Sequence, residues 1–173
     1  THDLSSLVDI FSGGAARPPD QVGKIAGTFE RSVPGIGYGL TETNAIGAVN
    51  AGAAYLARPA STGRVVPAVT EFKVIDSAGA ALPSGERGEL CIKSTANVRG
   101  YWNKPEATRE AFVDGWFHTG DVAYLDEEGF LYIVDRIKDI IIRGGENISC
   151  IEVEAAIHRH PAVQEVAVFG LPD

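Results

Sequence analysis

The chain has 173 residues, 45% of them apolar, and carries 15 Lys and Arg against 23 Asp and Glu for a formal charge of -8. That size and composition suit one ordinary domain or parts of two, and they exclude a disordered tail. The acidic balance argues against a nucleic-acid partner, whose backbone is gripped by clustered Lys and Arg, so a nucleotide bound here is a small molecule.

Taken in chain order, residues 4–11 read as a short strand feeding the close-approach turn Ser12-Gly13-Gly14-Ala15. Pro18-Pro19-Asp20 opens a helix expected to run to about Phe29, with proline in the first turn where its missing N–H costs little. Val33 to Tyr38 reads as a second strand, ending at the Gly39-Leu40-Thr41-Glu42 turn. Strand, helix and strand in this register predict the edge of an α/β sheet, whose ligands sit beyond the carboxyl ends of the strands. From Gly63 the pattern changes to short β runs, Val69 to Ile75 and Gly88 to Lys93, separated by turn signals at residues 76–79 and 83–86. A small barrel or sandwich is expected there. Pro105 to Phe112 carries a helical pattern, and Asp114-Gly115 and Glu128-Gly129 are turns flanking strands over Trp116 to Leu125 and Phe130 to Val134. Asp135 to Lys138 breaks the pattern. Ile140 to Ile142 then reads as a strand, Ser149 or Cys150 opens a helix to about His158, and Val163 to Phe169 reads as a further strand.

Cys91 and Cys150 match no metal spacing or disulfide framework and read as buried, inert thiols in a reducing cytoplasm. No apolar run approaches the ~20 residues needed to span a bilayer, and the start lacks the plan of a signal peptide. The chain opens on Thr1 and closes on a strand running into Leu171-Pro172-Asp173, which reads as a segment of a longer enzyme.

Tyr38-Gly39-Leu40-Thr41-Glu42-Thr43 gathers an aromatic face, flexible backbone, a hydroxyl and a carboxylate in six residues. Tyr38, flanked by Gly37 and Gly39, offers a ring that could stack on a purine. The Thr41 hydroxyl can donate to a phosphate oxygen while the Glu42 carboxylate holds Mg²⁺, a hard cation that bridges phosphates. Gly13, Gly14 and Ala15 leave room for a ligand to approach the backbone. Asp121 closes the aromatic run Trp116-Phe117-His118-Thr119-Gly120, where a carboxylate could accept both hydrogens of a ribose diol. Arg136 supplies a planar, always charged donor set, or alternatively a salt bridge to Asp135 or Asp139. His118 reads as a packed, hydrogen-bonded residue, and His2, His158 and His160 as surface or interface residues.

The three segments Tyr38 to Thr43, Trp116 to Asp121 and Asp135 to Asp139, followed by Arg143-Gly144-Gly145-Glu146-Asn147, stand in an order that resembles the adenylate-forming superfamily. That superfamily comprises acyl-CoA synthetases, peptide-synthetase adenylation domains and luciferases. The resemblance covers the chain from about Ser12 to its end. It implies the end of a large α/β N-terminal domain (1–61) with a β-barrel-like subdomain (62–137), then the start of a small, mobile α+β C-terminal domain (138–173). It implies that Gly13-Gly14-Ala15 lies against adenine and the carboxylate substrate, that Thr41 contacts phosphate, that Glu42 ligates magnesium and that Asp121 and Arg136 bind the nucleotide. Lys138 takes the hinge position, and Gly145 keeps open the tunnel for the pantetheine thiol. The Gly-Gly-Glu-Asn-Ile wording is closest to acyl-CoA synthetases; where these often place Pro, this chain has Cys150, and Ser149 can still cap the helix.

The function so implied is ATP-dependent, Mg²⁺-assisted acyl-CoA formation through acyl-AMP. The partners are a carboxylic acid, ATP and CoA. Ala45-Ile46-Gly47-Ala48 is small and apolar, which suits a fatty acid first and an aryl acid second. An adenylation domain that loads a carrier protein and a non-catalytic adenine-nucleotide-binding module are the alternatives. The family's phosphate loop lies upstream of this segment and its catalytic lysine downstream, so the segment alone is expected to be inactive.

Overall fold

A computed structural model describes residues 3–171 apart from Ala16, Glu30 and Pro67. Four strands make the first sheet: β1 (Asp9–Gly13), β2 (Val33–Tyr38), β3 (Ala48–Ala51) and β4 (Arg64–Val65), in that spatial order. β1 and β2 are parallel, crossed over by α1 (Pro19–Thr28), while β3 and β4 add antiparallel. Pro19 stands at the first helical position and Asp20 in the first turn, each suited to the unsatisfied N–H groups there. α1 buries Val22 against Ile36 of β2 and Tyr55 of α2 (Gly52–Ala57).

The second sheet has five strands, β5 (Thr70–Ile75), β6 (Gly88–Ser94), β7 (Phe112–Val113), β8 (Trp116–Leu125) and β9 (Leu131–Arg136), all paired antiparallel. β6 runs along one edge of β8, and β7 and β9 share the other edge, preceded by α3 (Pro105–Ala111). The result is a curled half-barrel. Its inner face buries Val74, Leu90, Ile92, Ala123 and Leu131 together with Ala48 of the first sheet, and Tyr38 and Leu40 pack against the same cluster.

The two sheets are stitched at Leu131. Its N–H donates to the Gly63 carbonyl at 2.7 Å, and its own carbonyl accepts from the Thr62 N–H at 2.9 Å and the buried Ser61 hydroxyl at 2.8 Å. Gly63 sits at φ +104°, and a Cβ there would lie 1.9 Å from the Val49 carbonyl oxygen, so only glycine fits this seam. Beside it, Arg58 and Arg64 lie against the Phe130 ring, at 4.3 and 4.4 Å from its centroid, while both pair with Glu128.

The last part holds the hairpin β10 (Ile141–Arg143) and β11 (Glu146–Ile148), then α4 (Cys150–His158). Gly144 and Gly145 form its two-residue turn with φ of +62° and +86°, the conformation such hairpins demand. Ser149 caps α4 by accepting from the Glu152 N–H. The helix start is also tied to β9: buried Asp135 accepts from the Cys150 N–H at 2.6 Å, and the Ser149 hydroxyl donates to the Val134 carbonyl at 2.9 Å.

Several expectations need correction. Val163 to Phe169 forms no strand; the run is irregular and its Val168 N–H goes to the Glu154 carboxylate at 2.9 Å, since no strand pairs with it among the described residues. Asp135 and Arg136 do not break the pattern but complete β9, and the break falls at residues 137–139. Gly144 to Asn147 reads from sequence as a flexible strand-end loop, but Glu146 and Asn147 belong to β11, and β3 and α2 have no counterpart among the expected elements. His2 lies outside the described residues.

Candidate nucleotide and metal site

The predicted residues converge at the carboxyl end of β2. Tyr38, its last residue, donates its hydroxyl to Oδ2 of Asp121 at 2.5 Å, although 83 residues separate them in sequence. Asp121 lies opposite Arg136 in the β8–β9 ladder, and the Arg136 Nε is 3.5 Å from its Oδ1. Asp121 is 5% exposed. Burial raises its pKa above the ordinary 3.8, against the Tyr38 hydrogen bond and the Arg136 charge, which pull the other way. Tyr38 in turn is raised by burial and by the adjacent carboxylate, so it stays a donor. Each oxygen of Asp121 has one protein partner and a carboxylate has about four lone-pair sites, so acceptor capacity remains for a diol.

Three residues beyond Tyr38 the chain begins a single 3-10 turn over Thr41–Thr43. Thr43 is buried and closes the turn on itself: its Oγ1 donates to the Leu40 carbonyl and accepts the Leu40 N–H, both at 3.1 Å. Thr41 is left exposed. Asn44 and Ala45 then take positive φ, and the chain turns back so closely that a Cβ on Gly39 would lie 2.4 Å from the Ala45 carbonyl oxygen. Gly37 has a packing reason of its own, since its face is covered by the Phe11 ring, and a Cβ on Gly13 would stand 3.1 Å from the Gly37 carbonyl oxygen. Gly13, Gly14 and Ala15 are exposed at the end of β1. Ala48, expected beside an acyl chain, is in the core between the sheets.

Glu42 accepts a 2.7 Å hydrogen bond from the Tyr101 hydroxyl at Oε1, and its carbonyl accepts from the Val98 N–H at 2.8 Å. Oε2 has no hydrogen-bond partner among the described residues, and a free carboxylate oxygen is the kind of hard donor that Mg²⁺ takes.

The segment ahead of Asp121 is fixed from β6. Glu89 accepts from the Gly120 N–H at 3.2 Å and pairs with His118 Nδ1 at 3.0 Å, while the Thr119 hydroxyl donates to the Leu90 carbonyl. His118 is the packed, hydrogen-bonded residue expected. Cys91 and Cys150 are both buried free thiols; burial and the nearby Glu89 push Cys91 up to about 11, and Cys150 donates to the Asp139 carbonyl. Tyr101, Glu89 and Thr43 were not singled out in the sequence. Only the placement of Tyr101 in Gly100-Tyr101-Trp102, after a β run and before a helix, could have signalled a docked loop.

Gly145 and Lys138 stand apart from this group. Lys138 is exposed in the turn after β9, and Gly145 is at the hairpin tip with nothing within 4 Å of a Cβ built on it. A cleft of about 670 Å³ runs between the β1–α1 turn, β9 and α4, with Ala15, Arg17, Tyr124, Tyr132 and Arg136 among its lining. It includes Ala15 and Arg136 of the predicted set but not Thr41, Glu42 or Tyr38.

Comparison with known proteins shows the family and the fold. The sequence profile described as AMP-binding enzyme matches residues 1–102. The chain is 40% identical over 172 residues to feruloyl-CoA synthase from Amycolatopsis sp, covering 99% of this chain and 34% of that protein. It is 42% identical over 178 residues to long-chain-fatty-acid–CoA ligase from Bacillus subtilis (strain 168), covering 99% and 30%. Among solved structures, o-succinylbenzoate CoA synthetase from Bacillus subtilis in complex with the acyl-adenylate intermediate OSB-AMP superposes with a TM-score of 0.87 at 34% identity, over 95% of this chain and 33% of that one. The same synthetase has been solved with ATP and magnesium ion, at a TM-score of 0.86. The chain therefore belongs to the AMP-binding enzyme family of adenylate-forming ligases. It spans about a third of the length of the curated relatives it matches.

Proposed function

We propose that this chain is the middle-to-C-terminal part of an AMP-forming acyl-CoA synthetase. The observation that carries the reading is the joining of Tyr38, Asp121 and Arg136 beside the Thr41–Glu42 turn, since five residue types suited to a nucleotide and its cation meet from three separate parts of the sequence. In the complete enzyme a carboxylate oxygen attacks the α-phosphorus of ATP, the bond to the β-phosphate oxygen breaks, and acyl-AMP and pyrophosphate result. Asp121 accepts the ribose hydroxyls, Arg136 supplies positive charge beside them, and Thr41 donates to a phosphate oxygen. Mg²⁺, when held by Glu42, offsets the negative charge of the phosphates. The CoA sulfur then attacks the acyl carbon, AMP leaves and the thiol proton passes to solvent.

Two half-reactions at one site call for a rearrangement, and we assign it to residues 138–173 turning about Lys138, which lies in an exposed turn; the Cys150 and Ser149 bonds to β9 would have to break in that motion. Gly145 then keeps the path of the thiol clear. The likeness to the Bacillus long-chain-fatty-acid–CoA ligase favours a fatty acid, and the likeness to feruloyl-CoA synthase an aryl acid as the second reading. A cytoplasmic setting with both thiols reduced goes with it, and no described helix is long and apolar enough to cross a membrane.

Glu42→Gln in the full-length enzyme tests the site. Adenylation should fall by about a hundredfold or more at ordinary Mg²⁺, the scale of losing one electrostatic anchor of the transition state, while the melting temperature holds. Wild-type adenylation in that variant would remove Glu42 from the mechanism.

A further inference from the structure

Tyr101 has no part in the reading above, yet it is the side chain that touches the carboxylate assigned to the cation. Its hydroxyl donates to Oε1 of Glu42 at 2.7 Å. The loop that carries it is docked on the same turn twice more, by the Val98 N–H to the Glu42 carbonyl at 2.8 Å and by the Asn44 side-chain amide to the Ala96 carbonyl at 2.7 Å. From its other side the loop is held by α3: the Tyr101 N–H donates to the Thr108 hydroxyl at 2.9 Å, and a Cβ on Gly100 would lie 2.4 Å from the Thr108 methyl. The ring itself rests against Phe112, with centroids 6.3 Å apart and planes tilted by 60°. Backbone and ring are both anchored, so the hydroxyl is a fixed donor in front of a flexible glutamate. Burial and the Glu42 bond push Tyr101 up to about 12, so it keeps its proton over the working range.

Resting on the proposed function, we propose that Tyr101 is a positioning residue for the metal site: it holds Oε1 of Glu42 and leaves Oε2 as the one oxygen offered to the cation bound with ATP. A glutamate side chain loses rotamer freedom when it takes a cation, and a hydrogen bond to a charged acceptor that fixes it beforehand removes part of that cost. A merely structural tyrosine would affect stability and not the affinity for the cation. The contact also joins the half-barrel loop to the turn that follows β2, so the order of one bears on the other.

The test is made in the full-length enzyme with Mn²⁺ in place of Mg²⁺, read by electron paramagnetic resonance as ATP-dependent binding, alongside the Mg²⁺ dependence of adenylation. Tyr101→Phe keeps the ring against Phe112 and removes only the hydroxyl. The proposal expects Mn²⁺ affinity to fall by about tenfold, with the Mg²⁺ concentration for half-maximal rate rising by a similar factor and the rate at saturating Mg²⁺ near wild type. In a Glu42→Gln background the same change should have no further effect. Unchanged cation affinity in Tyr101→Phe, or a rate lost equally at every Mg²⁺ concentration, overturns it. Cation binding that is weakened in Glu42→Gln but not in Tyr101→Phe sinks this proposal alone, whereas binding untouched in Glu42→Gln sinks the metal reading of Glu42 itself. If Tyr101→Phe does not fold, 3-fluorotyrosine at position 101 carries the test: its ¹⁹F resonance must move on addition of Mg²⁺ and ATP with Glu42 present and stay still in Glu42→Gln, and a resonance that ignores the cation in both overturns the proposal.

Discussion

Asp121 is placed where a carboxylate is least at ease: 5% exposed, with a phenol on one oxygen and a guanidinium beside the other. Its pKa is raised, burial being the largest cause, so the stability linked to it is fully present below the unfolded value of 3.8 and is lost as pH rises through the higher folded value. At neutral pH its ionisation costs the fold some stability relative to the protonated form. Asp121→Asn, which can still accept from Tyr38, is therefore expected to melt no lower than the parent at pH 7 and to show a flatter stability profile just above pH 3.8, while the full-length enzyme loses affinity for ATP. Melting curves over pH 3 to 7 with nucleotide titrations check both halves; a variant that is clearly less stable at pH 7 would mean the ionised carboxylate is a net support. The partners of this residue were partly legible. Arg136 and Asp121 were both singled out for a nucleotide, but the hydroxyl of Tyr38, considered for its ring, turned out to be the group that touches the carboxylate. A contact across 83 residues leaves no local pattern to read.

At the scale of elements, glycine marks two different needs. Gly63 combines φ +104° with a backbone oxygen where its Cβ would go, whereas Gly79 has φ +83° and open space. Gly63→Ala should cost more than about 2 kcal/mol in denaturant unfolding, with strain and clash acting together, and Gly79→Ala about 1 kcal/mol from strain alone. Equal losses at the two positions would show that the Leu131 seam yields without resistance. Gly145 is of the second kind, exposed and in a positive-φ turn, so its size is not demanded by local packing. Gly145→Asn tolerates that backbone, whereas Gly145→Leu meets no clash but adds positive-φ strain as well as bulk at the tip. If the glycine clears a thiol path, Leu spares acyl-AMP formation and slows thioester formation far more than Asn does; both half-reactions falling together would point to a damaged hairpin. Elements with strong local signals were read correctly, among them α1 from its prolines, β8 from its aromatic run and the α4 cap from Ser149. β3 and α2 escaped because residues 48–57 are rich in Ala and Gly, which carry neither strand nor helix periodicity. The apolar run Val163 to Phe169 misled for the opposite reason: composition proposes a strand, but only a partner makes one.

For the whole molecule, the two sheets share one core and one seam, and the site lies where the first sheet's strands end against the half-barrel. Ala48 from one sheet packs with Leu90 and Leu131 from the other, and Tyr38 reaches across to Asp121. Family membership and the α/β plus half-barrel architecture were legible in the ordered motifs. Tyr101 and Glu89, which hold the motif residues in place, were not, because their roles arise from pairing between strands and loops that no spacing rule predicts. In the complete enzyme these residues are proposed to serve a ligase working through acyl-AMP. Carboxylate-dependent exchange of labelled pyrophosphate into ATP by the full-length protein, over a panel of fatty and aryl acids and followed by CoA addition, tests it most directly. Exchange is expected with a preferred acid, falling by about a hundredfold or more in Glu42→Gln, and a thioester once CoA is present; no exchange with any acid would contradict this, and exchange without CoA turnover would move the acceptor to a carrier protein.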